Sequence, residues 1–398
     1  MIYQDFVVLA GFILIYSLFA RKIEQAAVSG PVLAVVIGLV TGPLLLNLFN
    51  FKMTGEGYRI LVELALALVL FTDAAATNLK ILRKNIAVPA RLLLIGLPLT
   101  IVFGVIAAFM IFNGFSWIEV GLLATMLAPT DAALGKAVVT NPAVPSKIRE
   151  ALNVESGLND GISVPILFLL IALVATETVG TVNLQFGLAL FAKQIGIGLA
   201  VGLGITFVSD KLIRIASRNN WIARSWKRIV IIALAFFCYN TAQLLGGSGF
   251  IACFSGGLLY GFVNKKHKLD LLQAAEGIGD TLSLTTWGIF GAIVIPTFLR
   301  QFTWDILLYS ILSLTVIRMM PVLISLINTG LSLKEKLFMA WFGPRGLASI
   351  VFAILVLEVH LPHKSTIILT VVCTIFMSII AHGITAIPFI KSLHKSES

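Results

Sequence analysis

The stretch Glu155-Ser156-Gly157-Leu158-Asn159-Asp160 runs directly into Gly161-Ile162-Ser163-Val164-Pro165-Ile166-Leu167-Phe168-Leu169-Leu170. The second half is apolar enough to lie in a bilayer, so the first half puts two carboxylates and an amide inside a membrane span. A carboxylate at mid-bilayer costs about 2.5–3.5 kcal/mol on insertion scales, so it persists where it is paired, hydrated or used. Two acids and an amide on one helix therefore read as an ion or proton site. At helical spacing Ser156 and Asp160 share one face, and Glu155 and Asn159 share the adjacent one.

The rest of the chain supplies the setting. With 58% hydrophobic residues, 12% charged and a mean hydropathy of +1.00, the composition is that of an integral membrane protein. The net charge of +10 does not point to nucleic acid, because the bases lie in short connectors between apolar runs. Cys238, Cys253 and Cys373 are isolated in apolar runs, which argues against a disulfide framework or a thiolate metal site, and no cofactor is expected. The first apolar run, Phe6 to Ala20, has no basic residues before it and no small-residue cleavage pattern after it, and reads as a retained helix.

Runs of about 20 apolar residues cross the ~30 Å hydrocarbon core. They fall near 4–20, 28–49, 58–77, 91–112, 116–136, 152–177, 186–208, 229–245, 249–263, 277–299, 303–327, 336–357 and 366–390, which predicts an all-α membrane protein of about thirteen spans. With the N-terminus outside and the C-terminus cytoplasmic, 22 of the 29 Lys and Arg residues face the cytoplasm and five face out, the bias of the positive-inside rule. Arg318 and Arg345 remain within the bilayer.

Two spans carry signs of interruption. The fifth contains Ala128-Pro129-Thr130-Asp131, and the twelfth contains Gly343-Pro344-Arg345-Gly346. Proline removes a backbone donor and crowds the preceding turn, and glycine eases the chain out of helix. Unwound backbone at this depth belongs where it lines a protein-enclosed cavity. The two spans run in opposite directions and lie seven spans apart, the pattern of inverted repeats whose broken helices meet near the midplane. Asp131 at one break and Arg345 at the other are suited to compensating the opposed half-helix dipoles. Counted from the predicted span ends, Asp160 lies ~12 Å and Arg345 ~14 Å deep. The Thr130 hydroxyl and freed carbonyls of the fifth span join Asp160, Ser156 and Asn159 as oxygen ligands suited to a small hard cation.

Three motifs, Pro129-Thr130-Asp131, Glu155 to Asp160 and Gly343-Pro344-Arg345-Gly346, resemble those of the monovalent cation:proton antiporters, in the NhaP and sodium–hydrogen exchanger branch. The resemblance covers essentially the whole chain, with one departure: Ala132 stands where many relatives have proline. It implies an NhaA/NhaP-like antiporter fold and a secondary transporter, not an enzyme, in a bacterial inner (plasma) membrane. That transporter would exchange Na⁺, with Li⁺ or K⁺ as the other candidates, for H⁺ by alternating access. Asp160 would bind cation or proton but not both; Thr130, Ser156 and Glu155 would help ligate the cation. Glu155 would also pair with Arg345, Asn159 would orient the site, and Asp131 would sit against the half-helix dipoles. Desolvation disfavours a carboxylate's charged form and a bound cation favours it, which is the physical basis of such competition. Electrogenic relatives have a second aspartate where Asn159 stands, so electroneutral 1:1 exchange is implied. The implied organisation is a homodimer with scaffold helices 1–3 in 1–77, core transport helices 4–6 in 78–178, linker helix 7 and scaffold helices 8–10 in 185–300, and core helices 11–13 with a short tail in 301–398. A role in pH homeostasis goes with it.

Other polar groups have plainer readings. Arg318 is expected to be a structural counter-charge to helix C-termini or an acid. Asp73 and Asp280 lie towards span ends, and His382 reads as a satisfied core histidine. Gly38 with Gly42, and Gly198 with Gly202, fit small-xxx-small packing. Two rival functions stand beside the antiporter. Gly247-Ser248-Gly249 with a histidine base would make an intramembrane protease, but leaves the Glu155–Asp160 cluster unexplained. A sodium-coupled solute symporter or a cation channel would use a similar scaffold.

Overall fold

Every element among the described residues is helical. The computed structural model describes residues 2–25, 29–48, 56–76, 87–131, 134–139, 141–177, 184–223, 226, 228–264 and 268–394. Ala132, the departure from the family pattern, lies outside them. In chain order the helices are α1 (Ile2–Gln25), α2 (Gly30–Thr41), α3 (Glu56–Ala76), α4 (Ala87–Arg91), α5 (Leu97–Ile111), α6 (Trp117–Met126), α7 (Lys136–Val139), α8 (Ser146–Glu177) and α9 (Leu184–Arg218). There follow α10 (Ile229–Leu244), α11 (Gly249–Val263), α12 (Lys268–Ile289), α13 (Ile295–Leu299), α14 (Trp304–Leu314), α15 (Val316–Ser325), α16 (Leu333–Trp341), α17 (Leu347–Leu357) and α18 (Lys364–His394).

Among the described residues, seven stretches of helix are long and apolar enough to cross a membrane, and five shorter apolar helices, among them α2, α6 and α17, accompany them. The molecule is an integral membrane protein. Several helices outrun their apolar runs. α8 begins at Ser146, where the span was expected near 152, because its first turns carry Lys147, Arg149 and Glu150. α9 continues to Arg218 through Lys211 and Arg214.

Two π-turns interrupt otherwise regular helix: Leu92–Gly96 joins α4 to α5, and Phe290–Val294 joins α12 to α13. Each is followed after one residue by a proline, Pro98 and Pro296. A proline in a helix collides with the carbonyl four residues back, and the wider π-turn takes up that conflict without ending the helix.

The chain forms two compact units. One comprises residues 1–59, 85–159 and 283–398, the other 60–84 and 160–282. In the first, Gly38 of α2 and Gly42 just past its end lie against the carbonyls of Gly288 and Ala292, so a side chain at either position would strike backbone. In the same unit Glu119 closes a capping box with Ser116 at the start of α6 and accepts a 2.8 Å hydrogen bond from the His363 backbone N–H. In the second unit, Gly198 and Gly202 of α9 lie against the carbonyls of Ser248 and Ala252. Ser248 accepts a hydrogen bond from Ile251 N–H and caps α11. The Gly-Ser-Gly sequence is thus a helix cap in a tight contact. Glu63 of this unit is buried and accepts a hydrogen bond from the Tyr239 hydroxyl at 2.9 Å.

Candidate functional site

Helix α6 ends at Met126, and Ala128 to Asp131 follow outside any helix. Between α16 and α17 the chain is likewise non-helical from Phe342 to Gly346. The two stretches pass each other within hydrogen-bonding distance: Asp131 N–H donates to Pro344 O at 2.8 Å.

Each break supplies the charge that the other requires. Asp131 accepts from Leu347 N–H, the first helical residue of α17, at 2.9 Å through one carboxylate oxygen. Its other oxygen accepts from Leu134 N–H at 3.1 Å. The carboxylate therefore sits on the positive end of α17. Arg345, wholly buried, donates to Ala128 O at 2.7 Å, Pro129 O at 3.2 Å and Ser313 O at 3.2 Å. These carbonyls lie just past the C-terminus of α6 and in the last turn of α14, where partial negative charge collects.

The glycines of the second motif make room for these contacts. A Cβ on Gly346 would collide with the Asp131 side chain, and one on Gly343 would meet the Arg318 guanidinium, 2.5 Å from Nε. Helix α18 secures the same segment from the other side. Arg345 N–H donates to Ser378 Oγ at 2.8 Å, and His382, one turn on, lies with Nδ1 3.1 Å from that hydroxyl and Nε2 2.9 Å from Trp341 O. Nδ1 also lies 2.9 Å from Ser378 O, so each ring nitrogen faces a backbone carbonyl. His382 is thus a hydrogen-bonded buried group that also holds the end of α16.

A third interruption was not expected. The apolar stretch Trp304–Ser325 divides at Thr315, whose φ of −108° and ψ of −95° separate α14 from α15. Arg318 follows in the first turn of α15 and reaches Glu155 with both terminal nitrogens, at 2.5 and 2.9 Å. Both side chains are almost fully buried. This corrects the partner implied by the family resemblance: Glu155 pairs with Arg318, and Arg345 spans the carbonyl ends instead.

Around the pair lies a cluster of neutral oxygens. Asn159 Nδ2 donates to Thr130 Oγ1 at 2.7 Å, and Thr130 Oγ1 lies 3.0 Å from Ser156 Oγ. Thr130 and Asn159 are buried, and among the described residues no hydrogen bond is made to the buried acceptor Asn159 Oδ1. The structure thus brings together Thr130, Ser156, Asn159, Glu155 and Arg318, and beside them Asp131 and Arg345. Asp160 occupies the next position of α8 and is half-buried. The participants that sequence reasoning missed are Ser313, Thr315 and Ser378. A serine or threonine in an apolar helix is too common to signal a contact, and the only trace of the α18 clasp is the four-residue spacing of Ser378 and His382.

The chain is similar to known proteins along most of its length. Residues 8–392 match the profile of the family described as sodium/hydrogen exchanger, transmembrane. It is 26% identical over 380 residues to the K⁺/H⁺ antiporter NhaP of Alkalimonas amylolytica, covering 93% of this chain and 64% of that protein. It is 24% identical over 377 residues to a probable Na⁺/H⁺ antiporter of Schizosaccharomyces pombe, covering 89% of this chain and 49% of that protein. The chain therefore spans about half to two thirds of the length of the curated relatives it matches. Its fold is that of the sodium proton antiporter MjNhaP1 from Methanocaldococcus jannaschii, with a TM-score of 0.79 over 96% of this chain and 99% of that one at 20% identity.

Proposed function

The chain belongs to the transmembrane sodium/hydrogen exchanger family, and from that premise we propose that it exchanges a monovalent cation for protons by alternating access, with the two competing for Asp160. The observation that carries this reading is the oxygen cluster that Ser156 and Asn159, immediately before Asp160 on α8, make with Thr130. Thr130 and Ser156 offer hydroxyl oxygens and Asn159 an amide oxygen, so a cation held by the Asp160 carboxylate gains neutral ligands without further charge. A proton on the same carboxylate removes its attraction for the cation. In this conformation Arg318 holds both oxygens of Glu155, so Glu155 joins the ligands when Arg318 releases one of them.

Asp131 and Arg345 keep the two breaks neutral without entering the ion shell. Helices of ten and eleven residues such as α6 and α17 are ~15 Å long, half of the ~30 Å hydrocarbon core, which supports a midplane crossing of broken helices in inverted repeats. The same reading includes thirteen spans, an external N-terminus, a bacterial inner membrane, a homodimer, and core helices in 78–178 and 301–398 moving against scaffold helices in 1–77 and 185–300. Relatives are named for K⁺ and for Na⁺. Na⁺ is the first substrate to test, then Li⁺ and K⁺. Exchange is 1:1 and electroneutral, since Asn159 contributes no second carboxylate.

The test uses purified protein in liposomes with an internal pH dye and an imposed pH gradient. Adding cation dissipates the gradient in wild type and fails to do so in Asp160→Asn. If no cation moves protons under any condition, the antiport reading is wrong and symport or a channel replaces it.

A further inference from the structure

Away from the ion site, the second compact unit has a half-open cavity of about 230 Å³ between α9 and α11. Its wall is apolar, built from Phe207, Leu259 and Val263 with the ring of Tyr260, and its rim carries Asp210, Lys211 and Arg214. The charges at the rim are not balanced. Asp210 is held by Arg214 Nε at 2.8 Å and by Asn264 Nδ2 at 2.7 Å, so its charge is answered within the protein. Arg214 also reaches Val263 O, which fixes it across the cavity mouth. The Lys211 ammonium sits 4.3 Å over the Phe207 ring, and among the described residues no carboxylate pairs with it. Arg218 follows on the same helix end.

This is the polar end of a helix whose outer surface exposes Leu199, Leu203 and Phe207, a face that in a membrane meets acyl chains. An apolar slot opening onto acyl chains, topped by a fixed arginine and an unanswered lysine, is complementary to one kind of molecule. We propose that this cavity binds an anionic phospholipid, its phosphate at Lys211 and Arg214 and the start of an acyl chain along Phe207, Leu259 and Val263. Basic pockets between membrane helices on the cytoplasmic side select anionic headgroups, and the charge bias of the connectors assigns this end of α9 to that side. The Phe207 ring keeps the lysine over the slot, and the Asp210–Arg214–Asn264 network keeps the arginine from folding away.

The site is tested without reference to transport, so its failure leaves the antiport reading intact. Detergent-purified protein is mixed with equal phosphatidylglycerol and phosphatidylcholine, and retained lipid is counted by native mass spectrometry. Wild type retains phosphatidylglycerol in preference. Lys211→Gln lowers that preference about fivefold, the worth of one lysine near an anionic surface, whereas Lys211→Arg preserves it and Lys334→Gln, a lysine remote in sequence, leaves it unchanged. Equal preference in wild type and Lys211→Gln overturns the proposal, as does an equal fall in Lys334→Gln, which would mark diffuse surface charge. Retention confined to monomers would mean that a second copy covers the cavity, and overturns it too.

Discussion

Replacing Arg318 with methionine would leave the Glu155 carboxylate buried beside no cation of its own. Removing one partner of a buried ion pair costs about 3–5 kcal/mol, because the remaining charge keeps its desolvation penalty. Replacing both partners by apolar groups removes that penalty. Arg318→Met is therefore expected to lower the thermal unfolding midpoint sharply, and Arg318→Met combined with Glu155→Leu to recover most of the loss. A single variant that melts like wild type would mean that the pair of 2.5 and 2.9 Å contacts contributes little. At this scale the residue types of the site were legible in the chain, since acids and arginines inside apolar runs are rare. Their pairing was not. Arg318 and Arg345 are both buried within the same compact unit as Glu155. Which of them meets the carboxylate depends on the direction in which α15 leaves the Thr315 break.

At the scale of elements, the interrupted helices depend on close contacts more than on proline. Gly346 touches the Asp131 side chain so closely that a methyl group there must displace the carboxylate from Leu347 N–H. Gly346→Ala is expected to fold and insert but to lose most transport, as measured by cation-driven pH change in liposomes. Activity near that of wild type would show that the cap on α17 is dispensable. Proline and glycine announce the breaks after α6 and before α17 in the sequence itself. The break at Thr315 has no such mark, because neither residue stands there, and its geometry follows from what α14 and α15 pack against. The π-turns were unread for a related reason: Pro98 and Pro296 signal a disturbance, but whether a helix kinks, ends or widens depends on its neighbours.

For the whole molecule, the testable quantity is charge moved per cycle. Each net charge carried across the membrane is worth about 2.3 kcal/mol per 100 mV. An electroneutral exchanger is blind to that, so the rate at fixed pH gradient is expected to stay constant when a potassium–valinomycin potential is imposed. Asn159→Asp exchanges the amide donor to Thr130 for a second carboxylate, and is expected to lower the rate and make what remains respond to voltage. A wild-type rate that climbs steeply with voltage would sink the 1:1 stoichiometry.

Membrane residence, the all-helical class and the family were determined by the sequence alone. They rest on composition, on apolar run length and on three motifs, all of which are properties of consecutive residues. The tertiary structure decided which charge answers which. It gave Glu155 to Arg318, set Asp131 on the N-terminus of α17 and Arg345 on the carbonyls after α6, and closed the segment from behind with Ser378 and His382. Those partners stand up to 217 residues apart in the chain. In a low-dielectric interior a buried donor or acceptor left without a partner is costly. Only the packed helices determine which of the available partners comes within 3 Å.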